Sequence, residues 1–192
     1  MQKIVLASGN RGKLREMQQV LTDKGLELLL QTDFDIADAE ETGKSFIENA
    51  ILKARHASAA TGLPALADDS GLCVNALQGR PGIYSARYSG AGATDVSNNA
   101  RLLEELANED DRSASFICVL ALVQHADDPL PLICEGRWQG EILREQRGAN
   151  GFGYDPLFFI PELQCSSAEL APNIKSRYSH RGLALQKLLQ QL

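Results

Sequence analysis

The sequence predicts an α/β protein built on a mixed β-sheet with helices packed around it. Three observations point there. Short apolar runs alternate with stretches of helical periodicity over the first third of the chain. Two longer extended runs, joined by a polar connection, follow in the middle. No repeat, low-complexity tract or linker interrupts the 192 residues, which are expected to form a single domain, 1–192. Alternating strand and helix favours parallel pairing and a hairpin adds antiparallel pairing, so the sheet should contain both.

Taken in order, Lys3–Ala7 is a short apolar run and reads as a buried strand. The polar turn Ser8-Gly9-Asn10-Arg11-Gly12-Lys13 leads into Leu14, Met17, Val20 and Leu21 at helical spacing, with Gly25 as the stop. Leu26–Leu30 is a second strand, and Asp33–Gly43 is acidic and irregular. Ser45 and Glu48 form an S-x-x-E capping box before a helix whose apolar face is read as Phe46, Ile47, Ala50, Ile51, Ala54 and Ala57; Gly62 and Pro64 end it. Leu63–Ala67 is a strand running into Asp68-Asp69-Ser70-Gly71, with Leu72–Leu77 extended beyond it. Gly79–Gly92 reads as a loop. Thr94 or Asp95 caps a helix carrying Ala100, Leu102, Leu103 and Leu106. Ser115–Gln124 and Leu130–Trp138 form a hairpin, Glu141–Arg144 a further short strand, and Gly151–Pro156 a loop before the apolar Leu157–Ile160. Ser179 caps a last helix with Leu185, Leu188 and Leu189 on one side.

Composition narrows the function. Hydrophobic residues make up 44% of the chain and charged residues 23%, which suits a globular core rather than disorder. A formal net charge of −6 argues against a general nucleic-acid binder, but leaves room for a local basic pocket holding a small anion. Cys73, Cys118, Cys134 and Cys165 form no CxxC pair, and His56, His125 and His180 show no zinc-ligand spacing. Reduced thiols, no targeting segment and no membrane-length apolar run make a cytoplasmic protein the expectation.

Five local features could carry chemistry. Ser8–Lys13 lies between a strand and a helix, where backbone N–H groups and the charges of Arg11 and Lys13 attract anions; an ordinary strand–helix turn has the same composition. Gly43-Lys44-Ser45 mimics the end of a Walker A loop, but the earlier glycine it needs is Asp38, so these residues read as a loop and helix cap. Asp68-Asp69-Ser70-Gly71 ends a buried strand with two carboxylates, which are costly there unless solvated, paired or bound to a cation; a polar turn is the other reading. Glu41 could be a second metal ligand, and Asn49 and Lys53 share one helical face from which a lysine could meet a phosphate; a solvated helix face is the other reading. Gly151-Phe152-Gly153-Tyr154-Asp155-Pro156 could expose an aromatic ring and an Asp on a tight loop, a turn with a core Phe being the other reading. Lys175 with Ser179-His180-Arg181 places basic groups at a helix start, where they oppose the helix dipole and could hold an anion or a purine oxygen, a solvent-exposed basic turn being the other reading.

Singly these features are unspecific. As an ordered set they resemble the inosine triphosphate pyrophosphatase family, the pyrophosphatases of non-standard purine triphosphates. The matching pieces are Ser8–Lys13, Glu41, Phe46-Ile47-Glu48-Asn49-Ala50-Ile51-Leu52-Lys53-Ala54, Ala67–Leu72, Pro81-Gly82-Ile83-Tyr84-Ser85-Ala86-Arg87-Tyr88, Gly151–Pro156 and Ser179-His180-Arg181. Asn173 and Ile174 stand where the family commonly has acidic residues. The resemblance implies an elongated mixed sheet with helices forming two lobes around a central nucleotide-binding cleft, and a homodimer. It implies hydrolysis of ITP, dITP and XTP to the monophosphate and pyrophosphate with Mg2+ as cofactor. Ser8, Gly9, Asn10, Arg11, Gly12, Lys13 and Lys53 would bind the triphosphate. Glu41 and Asp69 would bind magnesium, with Asp69 also the proton acceptor for water. Ser70 would touch substrate, and Phe152, Gly153, Tyr154, Asp155, Lys175, His180 and Arg181 would read base and sugar. A pyrophosphatase with another base preference and a non-catalytic nucleotide-binding regulator are the competing readings; only the enzyme needs Glu41 and Asp69 together.

Overall fold

The computed structural model describes residues 2–192, with Glu16, Gln19 and Asp23 described for their backbone alone. Seven strands form one sheet: β1 Gln2–Leu6, β2 Leu26–Leu30, β3 Ala65–Val74, β4 Ser113–Val123, β5 Leu132–Ile142, β6 Phe158–Ile160 and β7 Cys165–Ser166. Their order is β2-β1-β3-β4-β5-β6-β7. Pairing is parallel for β1 with β2 and with β3, in the register Val5 to Leu29 and Val5 to Ala65, and antiparallel for β5–β6 and β6–β7. The sheet is therefore mixed, as the alternation of elements predicts. The helices are α1 Arg11–Leu21, α2 Phe46–Thr61, α3 Asp95–Glu105, α4 Pro172–Tyr178 and α5 His180–Leu189. No described helix is long and apolar enough to cross a membrane.

The chain divides into two compact units. The first holds residues through Asp69, Cys118–Gly136 and Leu183–Leu192; the second holds Ser70–Ile117 and Arg137–Gly182. Each has its own apolar core. In the first, Ile4, Leu6, Leu28 and Leu30 pack with Met17 and Leu21 of α1, Leu120 of β4, and Leu185 and Leu188 of α5. In the second, Leu72, Leu102, Phe116, Trp138 and Phe158 form the centre, with the Phe116 and Phe158 rings 4.5 Å apart. The strand β3 passes from the first unit to the second between Asp69 and Ser70.

Local chemistry explains the element ends. Asn10 caps α1, its Oδ1 accepting from the N–H of Gly12 at 2.8 Å and of Lys13 at 3.1 Å. At α2 the Ser45 Oγ accepts from the Glu48 N–H at 3.2 Å, while Glu48 reaches one residue further back than a standard box, accepting from the Lys44 N–H at 2.8 Å. Thr94, rather than Asp95, caps α3. Ser179 caps α5, its Oγ accepting from the Gly182 N–H at 3.3 Å.

Several expectations are corrected. The strand expected over Leu63–Ala67 starts at Ala65 and runs unbroken through the acidic pair to Val74, so the extended stretch expected over Leu72–Leu77 is strand through Val74 and turn from Asn75. Glu141 and Ile142 belong to the end of β5 and pair with Phe159 and Phe158, so there is no separate strand over Glu141–Arg144. Residues Gly82–Arg87 make a 3-10 turn inside the expected loop. Lys175 lies on a helix of its own, α4, opened by Pro172. The buried side of α2 is Asn49, Ala50, Ala54, Ala57 and Ser58; Ile47, expected inside, is 43% exposed. Small residues turned inward let α2 lie against β1, and they bring Asn49 and Lys53 round to β3.

Candidate active site

Successive side chains of a strand leave it in opposite directions, and Asp68 and Asp69 of β3 each take a lysine of their own at hydrogen-bond distance. Two helices supply one lysine each. Lys13 of α1 binds Asp68 Oδ1 at 2.8 Å, and Lys53 of α2 binds Asp69 Oδ1 at 2.7 Å. Both carboxylates are buried, and an unpaired charge there would be expensive. The Lys53 Nζ also donates to Glu41 Oε1 at 2.9 Å, and Asn49 donates to Asp69 Oδ2 at 3.5 Å. One ammonium thus draws together the two carboxylates that the sequence singles out as metal ligands.

The electrostatics follow from this packing. Burial pushes Asp69 above the ordinary aspartate range, and the adjacent Lys53 offsets only part of that. Burial alone would lower Lys53, but the Asp69 and Glu41 carboxylates hold it above its usual value. Asp69 is therefore a stronger proton acceptor than a free aspartate. Among the described residues no three or more His, Cys, Asp or Glu side chains converge as a metal cage. The donor set on offer is two hard anionic oxygens around one cationic centre. That fits magnesium, which takes one or two carboxylates and completes its shell with water and phosphate.

Beside this set, Ser8–Lys13 joins β1 to α1. The Asn10 cap occupies the N–H groups of Gly12 and Lys13, and the Asn10 N–H itself donates to Ser8 Oγ at 3.1 Å. Gly9 and Gly12 sit where a Cβ would press on Thr32 at 3.1 Å and on Asn10 Oδ1 at 3.0 Å. Arg11 is exposed, and Ser70 follows Asp69 along β3. The Walker-like Gly43-Lys44-Ser45 is a helix entry: Ser45 caps α2, and the Gly43 N–H donates to Asn49 Oδ1 at 2.9 Å.

In the second unit, the Gly151–Pro156 loop is organised by Asp155. Its carboxylate is 3% exposed; Oδ1 accepts from Ser167 Oγ at 2.8 Å, and Oδ2 from the Phe152 N–H at 2.8 Å and from Lys175 Nζ. Gly151 has φ +80 and no room for a side chain, because a Cβ there would meet Asp155 Oδ2 at 2.1 Å. Phe152 projects outward, 60% exposed, with Lys175 Nζ 5.0 Å from its ring centroid. Tyr154 is buried and donates its hydroxyl to Ser85 O at 2.8 Å; burial drives that phenol above its ordinary range. His180 is stacked on Phe116 at 4.9 Å, and Arg181 is also buried. Ser167, Asp95 and Asn99, which grip this loop, carry no signal in the sequence; their partners lie 12, 58 and 54 residues away.

The model of the Ham1 family matches residues 4–191. A dITP/XTP pyrophosphatase of Escherichia coli (strain K12) is 57% identical over all of this chain and 98% of its own length. Among solved structures, a HAM1 protein from Coxiella burnetii superposes with a TM-score of 0.96 at 54% identity, covering 100% of both chains. The Staphylococcus aureus Ham1 protein gives 0.91 at 40% identity, covering 99% of this chain and 97% of its own. With matched length, sequence and fold in agreement, the chain belongs to the Ham1 family.

Proposed function

We propose that this protein is a dITP/XTP pyrophosphatase, hydrolysing non-standard purine nucleoside triphosphates, ITP included, to the monophosphate and pyrophosphate. The observation that carries the reading is the meeting of Glu41 and Asp69 on one cationic centre beside Lys13 and Asp68. Water attacks the α-phosphorus, and Asp69, made more basic by burial, accepts its proton. Magnesium held by Glu41 and Asp69 would neutralise phosphate oxygens and the leaving pyrophosphate. Lys13 and Lys53 bind the triphosphate together with the Ser8–Gly12 turn, and Ser70 contacts the substrate. Phe152 stacks on the base, held by Gly153, Tyr154 and Asp155. Lys175, His180 and Arg181 complete base and sugar recognition. Lys and Arg only donate hydrogen bonds, so they suit the 6-oxo acceptor of hypoxanthine and xanthine and meet the amino donor of adenine as donor against donor.

The reading includes a homodimer in the cytoplasm, acting through the whole chain as one pyrophosphatase and binding neither nucleic acid nor membrane; a net charge of −6 is in keeping with that. The test is pyrophosphate release. Purified protein with magnesium should convert ITP, dITP and XTP to monophosphate and pyrophosphate, and ATP far more slowly. Release of inorganic phosphate, or equal rates for ITP and ATP, would overturn it.

A further inference from the structure

The exposed ring of Phe152 is flanked by two left-handed glycines, Gly151 at φ +80 and Gly153 at φ +61. Such a segment has many accessible conformations, and fixing it only on binding would weaken affinity. Its neighbours remove that freedom. Asp155 holds the Phe152 N–H from one side, as described above. From the other side, α3 presents two side chains one turn apart, Asp95 and Asn99, and both reach Gly153. The Gly153 N–H donates to Asp95 Oδ2 at 2.7 Å, and the Gly153 carbonyl accepts from Asn99 Nδ2 at 2.9 Å. Both backbone polar groups of the residue after Phe152 are thereby tied to one rigid helix.

The Asn99 contact is made at a cost. The carbonyl of Gly153 needs a donor, which fixes the orientation of the amide. Asn99 Oδ1 is then buried and accepts no hydrogen bond among the described residues. Packing alone favours an apolar residue at such a position, because a buried unsatisfied acceptor destabilises.

We propose that Asp95 and Asn99 are positioning residues for base recognition: by gripping both backbone polar groups of Gly153 they fix the direction in which Phe152 presents its ring to the purine. The inference rests on the reading that Phe152 stacks on the base. Asp95 and Asn99 belong to the second unit and the lysines and acids assigned to the phosphates and metal to the first, so the effect of losing Asp95 or Asn99 is expected at the nucleoside end of the substrate.

The test uses the full-length protein and four variants: D95A, D95N, N99A and F152A. For each, kcat and KM are measured with ITP, together with product inhibition by inorganic pyrophosphate, which has no base. D95A and N99A should raise KM for ITP by roughly five- to tenfold, the loss of one hydrogen bond's worth of preorganisation, with kcat within about twofold and pyrophosphate inhibition unchanged. D95N should keep the parent KM, because the amide oxygen still accepts from the Gly153 N–H. Parental KM in D95A and N99A alongside a raised KM in F152A would refute the positioning role and leave stacking intact. An unchanged KM in F152A would refute stacking, and the positioning role with it. Equal losses toward ITP and pyrophosphate, or a D95N variant as impaired as D95A, would mark a general structural role and also overturn the proposal.

Discussion

Replacing Asp155 by Asn separates a scaffold from a direct reader of substrate. The carboxylate receives three donors: the Phe152 N–H, the Ser167 hydroxyl and the Lys175 ammonium. Asn has the same shape. Its oxygen can face Phe152 and Lys175, and its amino group can face Ser167, whose hydroxyl turns to accept. The hydrogen bonds survive in number but lose their charged acceptor, about 1 kcal/mol each or about 3 kcal/mol together. Lys175 keeps some contact with water, its side chain being 20% exposed, and regains part of this as solvation. A net loss of about 2 kcal/mol remains, which for a chain of this length lowers Tm by about 4–8 °C. Thermal unfolding followed by circular dichroism or calorimetry measures it, with KM for ITP recorded on the same samples. D155N should lose stability and affinity together. A variant with the parent Tm and a raised KM would refute the reasoning and return Asp155 to direct contact with base or sugar.

Three further outcomes follow from the ion pairs. Asp69→Asn should abolish turnover while retaining substantial ITP binding, because on the proposed reading most affinity comes from phosphate and base contacts; near-normal single-turnover hydrolysis would remove Asp69 as the proton acceptor. Lys53→Ala should weaken ITP by roughly ten- to a hundredfold, the range of a hydrogen bond to a charged group, and IMP far less; calorimetry with both ligands decides, and equal losses would make Lys53 purely structural. Burial pushes Glu105 up, but the Tyr88 hydroxyl at 2.6 Å, Arg101 and Arg80 hold it below the ordinary glutamate value of 4.5. A depressed carboxyl gives stability that is present above that value and lost as pH falls through the folded pKa. Glu105→Gln should therefore flatten the fall of Tm below about pH 4.5, and an unchanged acid limb would count against it.

Much of this fold is written locally. The caps at Ser45, Thr94 and Ser179 and the stop at Gly62 are short-range chemistry, and they bound α2, α3 and α5 where the sequence implies, while Gly25 closes the 3-10 turn that follows α1. The inward face of α2 is not local. Apolarity favours Ile47 inside, yet the bonds from Asn49 and Lys53 to Asp69 turn the helix so that polar groups face β3. Pro172 at the first helical turn is the signal for α4 that periodicity alone overlooks. At the site, Glu41, Lys53 and Asp69 are legible as residue types, and the resemblance to a family assigns their roles. Their convergence is a property of the packing. So is the grip of Ser167, Asp95 and Asn99 on the aromatic loop: nothing near any of them in the chain distinguishes it from a surface serine, a first-turn acid or a helix amide.

The ammonium between Glu41 and Asp69 bears on how folding and metal loading relate. Two acids brought together in a partly buried place repel each other, and a protein relying on a divalent ion to reconcile them would loosen whenever the ion left. Here the chain carries its own counter-ion, on a four-turn helix anchored by small residues. On the proposed reading, folding is thereby uncoupled from the supply of the ion. Treatment with a chelator should leave the protein folded, with Tm lowered only by the ion's own binding contribution, while hydrolysis stops, and adding the ion back should restore hydrolysis within mixing time, with no refolding phase. A protein of this design can be made in an ion-poor moment and wait, already folded, for the ion to arrive.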